Sequence, residues 1–149
     1  MATILVHLRT HPGREADFER VVAELWRQTH GKETGVRRYE YWRGAETSTY
    51  YALLSFADHN AFIIHQASDH HETMSPQLRD VVASMRLEWV DPLADASDLP
   101  ATEPQSLPID ATTREGEQAQ RFPAEVQEWW HPLRRRDRVE GDVQRLEGA

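Results

Sequence analysis

The spacing of apolar residues alternates between that of a strand and that of a helix along residues 1–91, and this order restricts the fold. Residues 3–9 are rich in Ile, Leu and Val and end at a His-Pro-Gly turn signal, which indicates a short strand. In residues 14–30 the apolar side chains follow the i, i+3, i+4, i+7, i+8 spacing of one helix face: Phe18, Val21, Val22, Leu25 and Trp26. A strand and an amphipathic helix are therefore predicted first.

Two β-prone stretches come next, separated by a short polar loop. Residues 36–43 carry Tyr39, Tyr41 and Trp42 among charged residues, and Gly44 follows them. Residues 49–56 are largely apolar without alternation, which is typical of a strand that is covered on both faces. The loop of residues 45–48 is suited to a hairpin that joins the two strands.

A second helical region and a fourth strand complete this part of the chain. Asp58 is a good N-cap for a helix that ends near Gln66, and Asp69 with Glu72 could cap a further turn or two. Pro76 is expected near the start of another helical piece. The last strand is predicted from apolar residues that alternate with polar ones: Met85, Leu87 and Trp89.

The resulting order, strand-helix-strand-strand-helix-strand, predicts an α+β protein with the ferredoxin-like βαββαβ fold. In this fold the helices cover one face of a four-stranded antiparallel sheet and leave the other face bare. That face would carry large apolar side chains, which monomers rarely expose over more than several hundred Å². We therefore expect a homodimer that pairs through the sheet face, forming a dimeric α+β barrel.

The chain divides into a barrel domain, residues 1–91, and an extension, residues 92–149. The extension opens with a Pro-rich linker, residues 92–110. Pro123 suits the first position of a helix, with apolar residues at helical spacing behind it: Val126, Trp129, Trp130 and Leu133. Pro132 should end this helix near Trp130. Burying a large apolar side chain stabilises a protein by about 1.5–3 kcal/mol. We therefore expect Trp129 and Trp130 to pack on the barrel or on the partner subunit.

Composition excludes several classes of function. The formal net charge of −8 argues against nucleic acids and acidic membrane surfaces as partners. The absence of cysteine excludes disulfides, thiolate nucleophiles and cysteine-ligated metals. No apolar run approaches the roughly 20 residues of a membrane span, and the first residues lack the pattern of a signal peptide. We therefore expect a soluble cytoplasmic protein.

Three stretches together resemble a known family. The first strand is followed by Arg9-Thr10-His11-Pro12-Gly13 and an amphipathic helix, and Tyr39 and Tyr41 lie shortly after Gly35. The third stretch, residues 56–71, reads FADHNAFIIHQASDHH and contains His65 and His70. In this order and spacing they resemble the antibiotic biosynthesis monooxygenase family over residues 2–91. The resemblance implies a dimeric barrel with a pocket between the sheet and the helices of each subunit.

Members of that family include oxygenases of quinols and polyketide anthrones that use no cofactor. The resemblance thus implies a monooxygenase acting with O₂ on a small aromatic, quinol or polyketide-like substrate, which a protein base must deprotonate. His65 and His70 match the family's histidines and are the acid/base candidates. Candidate substrate-binding residues are two polar residues of the first strand, His7 and Arg9, and aromatic side chains: Tyr39, Tyr41, Phe56, Phe62 and Trp89.

The chain departs from two family mechanisms. Anthrone-oxidising members use an Asn, a Trp and a Tyr where this chain has Ala52, Phe56 and Phe62, whose side chains cannot donate a hydrogen bond. Haem-degrading members use an Asn, a Trp and a His at places that correspond here to His7, His65 and about Ser75.

Several alternatives therefore stay open. These are a non-catalytic small-molecule binder, a structural homodimer whose pocket the extension fills, and a haem-binding or haem-degrading member. His65 could also serve only to bridge the helix end near Ser68. The spacing of His65, His70 and His71 suggests a metal site, but no third ligand stands out, so we expect no metal and no cofactor.

Overall fold

A computed structural model describes residues 1–134 and contains one four-stranded antiparallel sheet with its helices on one face. The strands are β1 (Ala2–Thr10), β2 (Val36–Arg43), β3 (Thr49–Phe56) and β4 (Val82–Trp89), in the spatial order β2-β3-β1-β4. The helices are α1 (Glu15–Lys32), α2 (His59–Ala67), α3 (Asp69–Val81) and α4 (Thr113–Arg121). The predicted α+β ferredoxin-like fold is confirmed.

Strand register determines which side chains enter the core. Ile4 and Val6 of β1 lie opposite Leu54 and Ala52 of β3, and all four are buried against the helices. The intervening residues point to the other face of the sheet because successive side chains of a strand alternate. The apolar stripe predicted for α1 closes this core, except for Trp26, which is half exposed.

The face of the sheet away from the helices, called the open face below, is mixed in character. Trp42 is 60% exposed and Tyr51 is 39% exposed on it. Charged residues of β4, Arg86 and Glu88, lie on the same face through their register with His7 and Leu5. The face therefore combines exposed aromatic area with charge and is less apolar than the sequence suggested.

The helix boundaries confirm one predicted cap and correct others. The side chain of Asp58 caps α2 by accepting the N–H of Ala61 at 2.8 Å, as predicted. The cap of α3 is Ser68, one residue before the predicted Asp69, because Ser68 has an extended backbone and its Oγ accepts the N–H of His71. Pro76 lies inside α3 and not at the start of a separate piece. Its exposed position lets water satisfy the carbonyl that lacks a donor.

The helix predicted to start at Pro123 is wrong: residues 122–127 have no regular secondary structure. The helix that precedes Pro123 is α4, which a capping box specifies. Thr112 accepts the N–H of Glu115, whose carboxylate accepts the N–H of Thr112 at 2.7 Å. The Thr-x-x-Glu signal was present in the sequence and was missed.

Residues 130–134 are also helical and contain Pro132, so the prediction that Pro132 ends a helix near Trp130 is wrong as well. Pro132 lies in the first turn of this segment, where its missing N–H is tolerated. Residues 135–149 of the predicted extension lie outside the described residues.

Contacts with the barrel are made along the described length of the extension. Thr102 Oγ1 donates to the carbonyl of Val90 at 2.7 Å and accepts the N–H of Thr3. Arg134 donates two hydrogen bonds to Asp91, at 2.6 and 2.7 Å. None of the helices within residues 1–134 has both the length and the apolar character needed to cross a membrane.

The two tryptophans of the extension have different environments. Trp130 is 8% exposed and lies under the guanidinium of Arg134, whereas Trp129 is 67% exposed. Both line a groove beside Trp89 of β4, outside the space between the sheet and the helices.

Candidate functional site

A cavity of about 530 Å³ lies between the helix-facing side of the sheet and helices α2, α3 and α4. Its sheet wall is apolar and comes from alternate residues of β1 and β3: Val6, Leu8, Ala52 and Leu54. Tyr39 and Tyr41 of β2 also line it. The extension supplies part of the remaining wall through α4 and the residue after it: Gln118, Arg121 and Phe122. The volume suits a small organic molecule.

His65 lies in the last turn of α2, is 1% exposed, and lines this cavity. Its Nδ1 is 2.9 Å from Oε1 of Glu33. The ring packs edge-on against that of Tyr39, with the two ring centroids 5.1 Å apart. The ring centroid of Phe56 is also 5.1 Å from that of His65. Within residues 1–134 no side chain or backbone group hydrogen-bonds its Nε2. One nitrogen is thus fixed by a carboxyl group and the other is left for a molecule in the cavity.

Glu33 holds two histidines through one oxygen. It is the first residue after α1, and its side chain is 9% exposed. Its Oε1 lies 2.7 Å from Nε2 of His70 as well as 2.9 Å from His65. His70 does not line the cavity, and its Nε2 also lies 3.2 Å from the Oγ of Ser68. Of the two predicted acid/base histidines, His65 therefore faces the cavity and His70 supports Glu33 from behind.

Burial determines the protonation of this group. Removal from water, and to a smaller extent the charge of the nearby His70, lowers the pKa of His65 to about 3. Burial raises the pKa of Glu33, while the hydrogen bond from His70 opposes that change. The contact between His65 and Glu33 is therefore a hydrogen bond from a neutral imidazole and not an ion pair. With Nδ1–H donated to Glu33, Nε2 carries the lone pair and can accept a proton from a ligand.

The two cavity tyrosines are hydrogen-bond donors over the physiological pH range. Tyr41 donates to the hydroxyl oxygen of Tyr39 over 3.4 Å. Burial raises the pKa of Tyr41 to about 12, and it raises that of Tyr39 as well. Both hydroxyl groups therefore stay protonated. Because Tyr41 donates its proton to Tyr39, the O–H of Tyr39 is the one left to donate to an anion in the cavity.

The remaining predicted substrate-binding residues lie away from the cavity. His7 and Arg9 have odd-numbered positions on β1 and point to the open face, where their partners are Glu88 at 2.9 Å and Glu46 at 3.0 Å. A molecule in the cavity of the same subunit is separated from them by the sheet. The aromatic residues Phe56, Phe62 and Trp89 are packing residues outside the cavity wall, with the rings of Phe62 and Trp89 5.4 Å apart.

The positions of three further residues, Trp129, Trp130 and His71, bear on the alternatives left open by the sequence. Neither Trp129 nor Trp130 lines the cavity, so the arrangement that would favour a structural homodimer with a filled pocket is not observed for them. His71 lines the cavity, and its ring centroid is 4.9 Å from that of His65.

The same cluster could hold a metal ion, since Glu33 supplies the third ligand that the sequence did not reveal. Donor atoms of Glu33, His65 and His70 all lie within 4.8 Å of one another. Two histidines and a carboxylate form a ligand set used by zinc and non-haem iron. Tetrahedral ligands at roughly 2.1 Å from a metal would be about 3.4 Å apart, whereas two of the three separations here are 2.7 and 2.9 Å. The observed geometry is that of a hydrogen-bonded network.

The chain matches one family by sequence. The sequence model of the family described as antibiotic biosynthesis monooxygenase matches residues 1–77. No curated protein sequence matches the chain.

Several solved structures share the fold. A provisionally named antibiotic biosynthesis monooxygenase from Caulobacter crescentus is 22% identical, with a TM-score of 0.59 over 62% of this chain and 89% of that chain. One with the same provisional name from Bacteroides thetaiotaomicron is 20% identical, with a TM-score of 0.61 over 66% and 94%. A Mycobacterium tuberculosis protein is 16% identical, with a TM-score of 0.58 over 64% and 98%. At these identities the likeness shows the fold.

Proposed function

Because the chain belongs to the antibiotic biosynthesis monooxygenase family, we propose that it is a monooxygenase that uses no cofactor and oxidises a small aromatic, quinol or polyketide-like substrate with O₂. Family membership supports the general monooxygenase-like function. The substrate class and the roles of individual residues are our proposal, and they rest on the chemistry of the cavity.

The observation that carries the proposal is the state of His65. Its imidazole is neutral, its Nδ1–H is held by Glu33, and its Nε2 has no partner among the described residues while lining the cavity. A general base needs one free nitrogen and a fixed ring, and His65 has both. It also needs a pKa closer to neutrality than about 3. The role proposed here therefore requires that the anion formed in the cavity, together with Glu33, raises the pKa of His65 when the substrate is bound. Glu33 acts as a positioning residue that sets the tautomer, and His70 positions Glu33 from the other side.

The first step is removal of a proton from a phenol or from an activated C–H group by Nε2 of His65. Tyr39 and Tyr41 line the same cavity, and the O–H of Tyr39, whose oxygen accepts from Tyr41, stabilises the resulting anion. The apolar sheet wall limits water around it, which strengthens these interactions. The electron-rich anion then reacts directly with O₂.

The atoms and electrons of this reaction balance without an external reductant. For an anthrone, a CH₂ group becomes C=O, one oxygen atom enters the product and the other leaves as water with the two hydrogens. The substrate gives up four electrons and O₂ accepts four. For a quinol, the same accounting yields a hydroxyquinone and water.

We also propose that two copies pair through the open face, with the exposed rings of Trp42 and Tyr51 at the contact. Exposed aromatic area of this kind is enriched at protein interfaces. The two cavities would lie on the outer sides of the paired sheets, each within its own subunit.

Oxygen consumption tests the proposed function. Wild-type protein in air-saturated buffer at pH 7 should accelerate oxygen uptake with 1,4-dihydroxynaphthalene or 1,8-dihydroxyanthrone above the spontaneous rate. His65→Gln should lose most of this acceleration, since a positioned base contributes about 10²–10⁴-fold. His7→Gln is the matched control, because His7 lies on the open face. Binding without uptake would indicate a non-catalytic binder, and equal activity of wild type and His65→Gln would refute the role of His65.

A further inference from the structure

Two guanidinium groups at the cavity have no carboxylate partner within residues 1–134, whereas most others do. Among the arginines of residues 1–134, every side chain except Arg37, Arg79 and Arg121 lies within 3.0 Å of a carboxylate oxygen. Arg37 donates to backbone carbonyls. Arg79 and Arg121 both line the cavity.

This absence of pairing stands out against the charge of the chain. With 25 acidic and 17 basic residues, carboxylates are in excess, so an arginine has no shortage of partners. Glu72 also lines the cavity but forms no ion pair with either arginine, which leaves two cations against one anion at the mouth. Partly exposed guanidiniums at the edge of an apolar cavity attract a carboxylate and bind it with two parallel hydrogen bonds.

The extension places one of the two arginines. Arg121 is the last residue of α4, whose first turn is held by Arg114 through the carbonyl of Ala67 at 3.0 Å. Directly after it, the carbonyl of Phe122 lies 3.0 Å from Nε2 of His59. Arg121 is thus fixed between two anchored points and not on a free tail.

Burial distinguishes the base from the two arginines. His65 lies on α2 beside the buried Tyr39 and Phe56, whereas Arg79 and Arg121 are exposed residues on α3 and α4. An aromatic molecule with an acidic group at one end could therefore meet the base inside and the arginines at the mouth.

We propose that Arg79 and Arg121 form a carboxylate subsite, so that the ligand of this cavity is an aromatic acid and the extension helps to select it. The subsite rests on the proposed function for the location of the ligand but not for turnover. Both arginines lie outside residues 1–77, the part that the family model matches. The extension thus adds a recognition element to the barrel.

Binding of two probes that differ only in charge tests the subsite. We would titrate the protein calorimetrically at pH 7.5 with 1-hydroxy-2-naphthoate and with 1-hydroxy-2-naphthamide. The acid should bind at least tenfold more tightly than the amide. A tenfold ratio of affinities corresponds to the free energy of about one charge-assisted hydrogen bond. Arg79→Gln and Arg121→Gln should each weaken binding of the acid about five- to tenfold and change binding of the amide less than twofold.

Arg37→Gln is the matched control, since it removes the same charge from an arginine that lacks a carboxylate partner but lies outside the cavity wall. It should leave both affinities unchanged. Equal affinity for acid and amide, no binding of either probe, or equal weakening of both by Arg79→Gln and Arg121→Gln would overturn the subsite. Oxygen uptake that depends on His65 fails or succeeds independently of this result, so the two proposals can be refuted separately.

Discussion

The strongest test of the buried network is removal of the carboxyl group that both histidines share. Glu33→Ala deletes the acceptor of His65 Nδ1 at 2.9 Å and of His70 Nε2 at 2.7 Å. All three side chains are at most 9% exposed, so water cannot easily replace the lost oxygen. Two buried donors then lose their main acceptor, although the Oγ of Ser68 still lies 3.2 Å from His70 Nε2.

The magnitude follows from the cost of unsatisfied groups. Each buried donor without a partner costs about 1–3 kcal/mol, so two cost about 2–6 kcal/mol. Removing a carboxylate whose pKa is raised by burial returns part of this cost. We expect Glu33→Ala to lower the free energy of unfolding by about 2–4 kcal/mol. Glu33→Gln keeps an oxygen acceptor and should lower it by only about 1 kcal/mol.

Urea denaturation at pH 7.5 measures these differences if the slope m is unchanged. Glu46→Ala is the control, because it breaks the exposed ion pair with Arg9 and should cost less than about 1 kcal/mol. The reasoning is refuted if Glu33→Ala costs no more than Glu46→Ala, or if Glu33→Ala and Glu33→Gln are equally destabilised.

Three further outcomes can be measured. The folded-state pKa of His65, about 3, lies below its unfolded value of 6.5, so stability present above pH 6.5 is lost as the pH falls toward 3. The contribution of His65 to the free energy of unfolding, measured by urea titration, should be about 2 kcal/mol smaller at pH 5 than at pH 7. The raised pKa of Glu33 partly offsets this change. In His65→Gln the free energy of unfolding should depend less on pH. Arg134→Ala, which removes a nearly buried ion pair, should cost about 2 kcal/mol in thermal denaturation and speed proteolysis of the extension; an unchanged melting temperature would contradict the docking. Trp42→Glu should convert a dimer to a monomer in light scattering, whereas Trp26→Glu on α1 should not; a wild-type monomer would refute the dimer.

The sequence carried the information for the barrel because its elements are defined by local periods. The i, i+3, i+4, i+7 spacing of Phe18, Val21, Val22 and Leu25 predicts a buried helix face, and all four are buried. The apolar run of β3 predicts a strand, although its open face is only partly covered in the subunit. The Asp58 cap was also local and was found.

The site depended on contacts that no local pattern encodes. Glu33 meets His65 and His70 across 32 and 37 residues of sequence, and as an acidic residue after a helix it carried no distinguishing signal. Strand alternation predicts that His7 and Arg9 point to the same side of the sheet. It does not predict on which side of the sheet the cavity lies. In the extension, the helix starts at the capping box of Thr112, eleven residues before Pro123, and not at the proline.

The central claim is that His65 removes a proton from the ligand inside the cavity, and anaerobic exchange of deuterium into the C10 methylene of 1,8-dihydroxyanthrone tests it without any oxidation. Proton NMR in D₂O should show that wild-type protein accelerates this exchange. His65→Gln should be slower by about 100-fold or more, and His7→Gln should match wild type. Exchange at the same rate with wild type and His65→Gln, or no acceleration by wild type, would contradict the account.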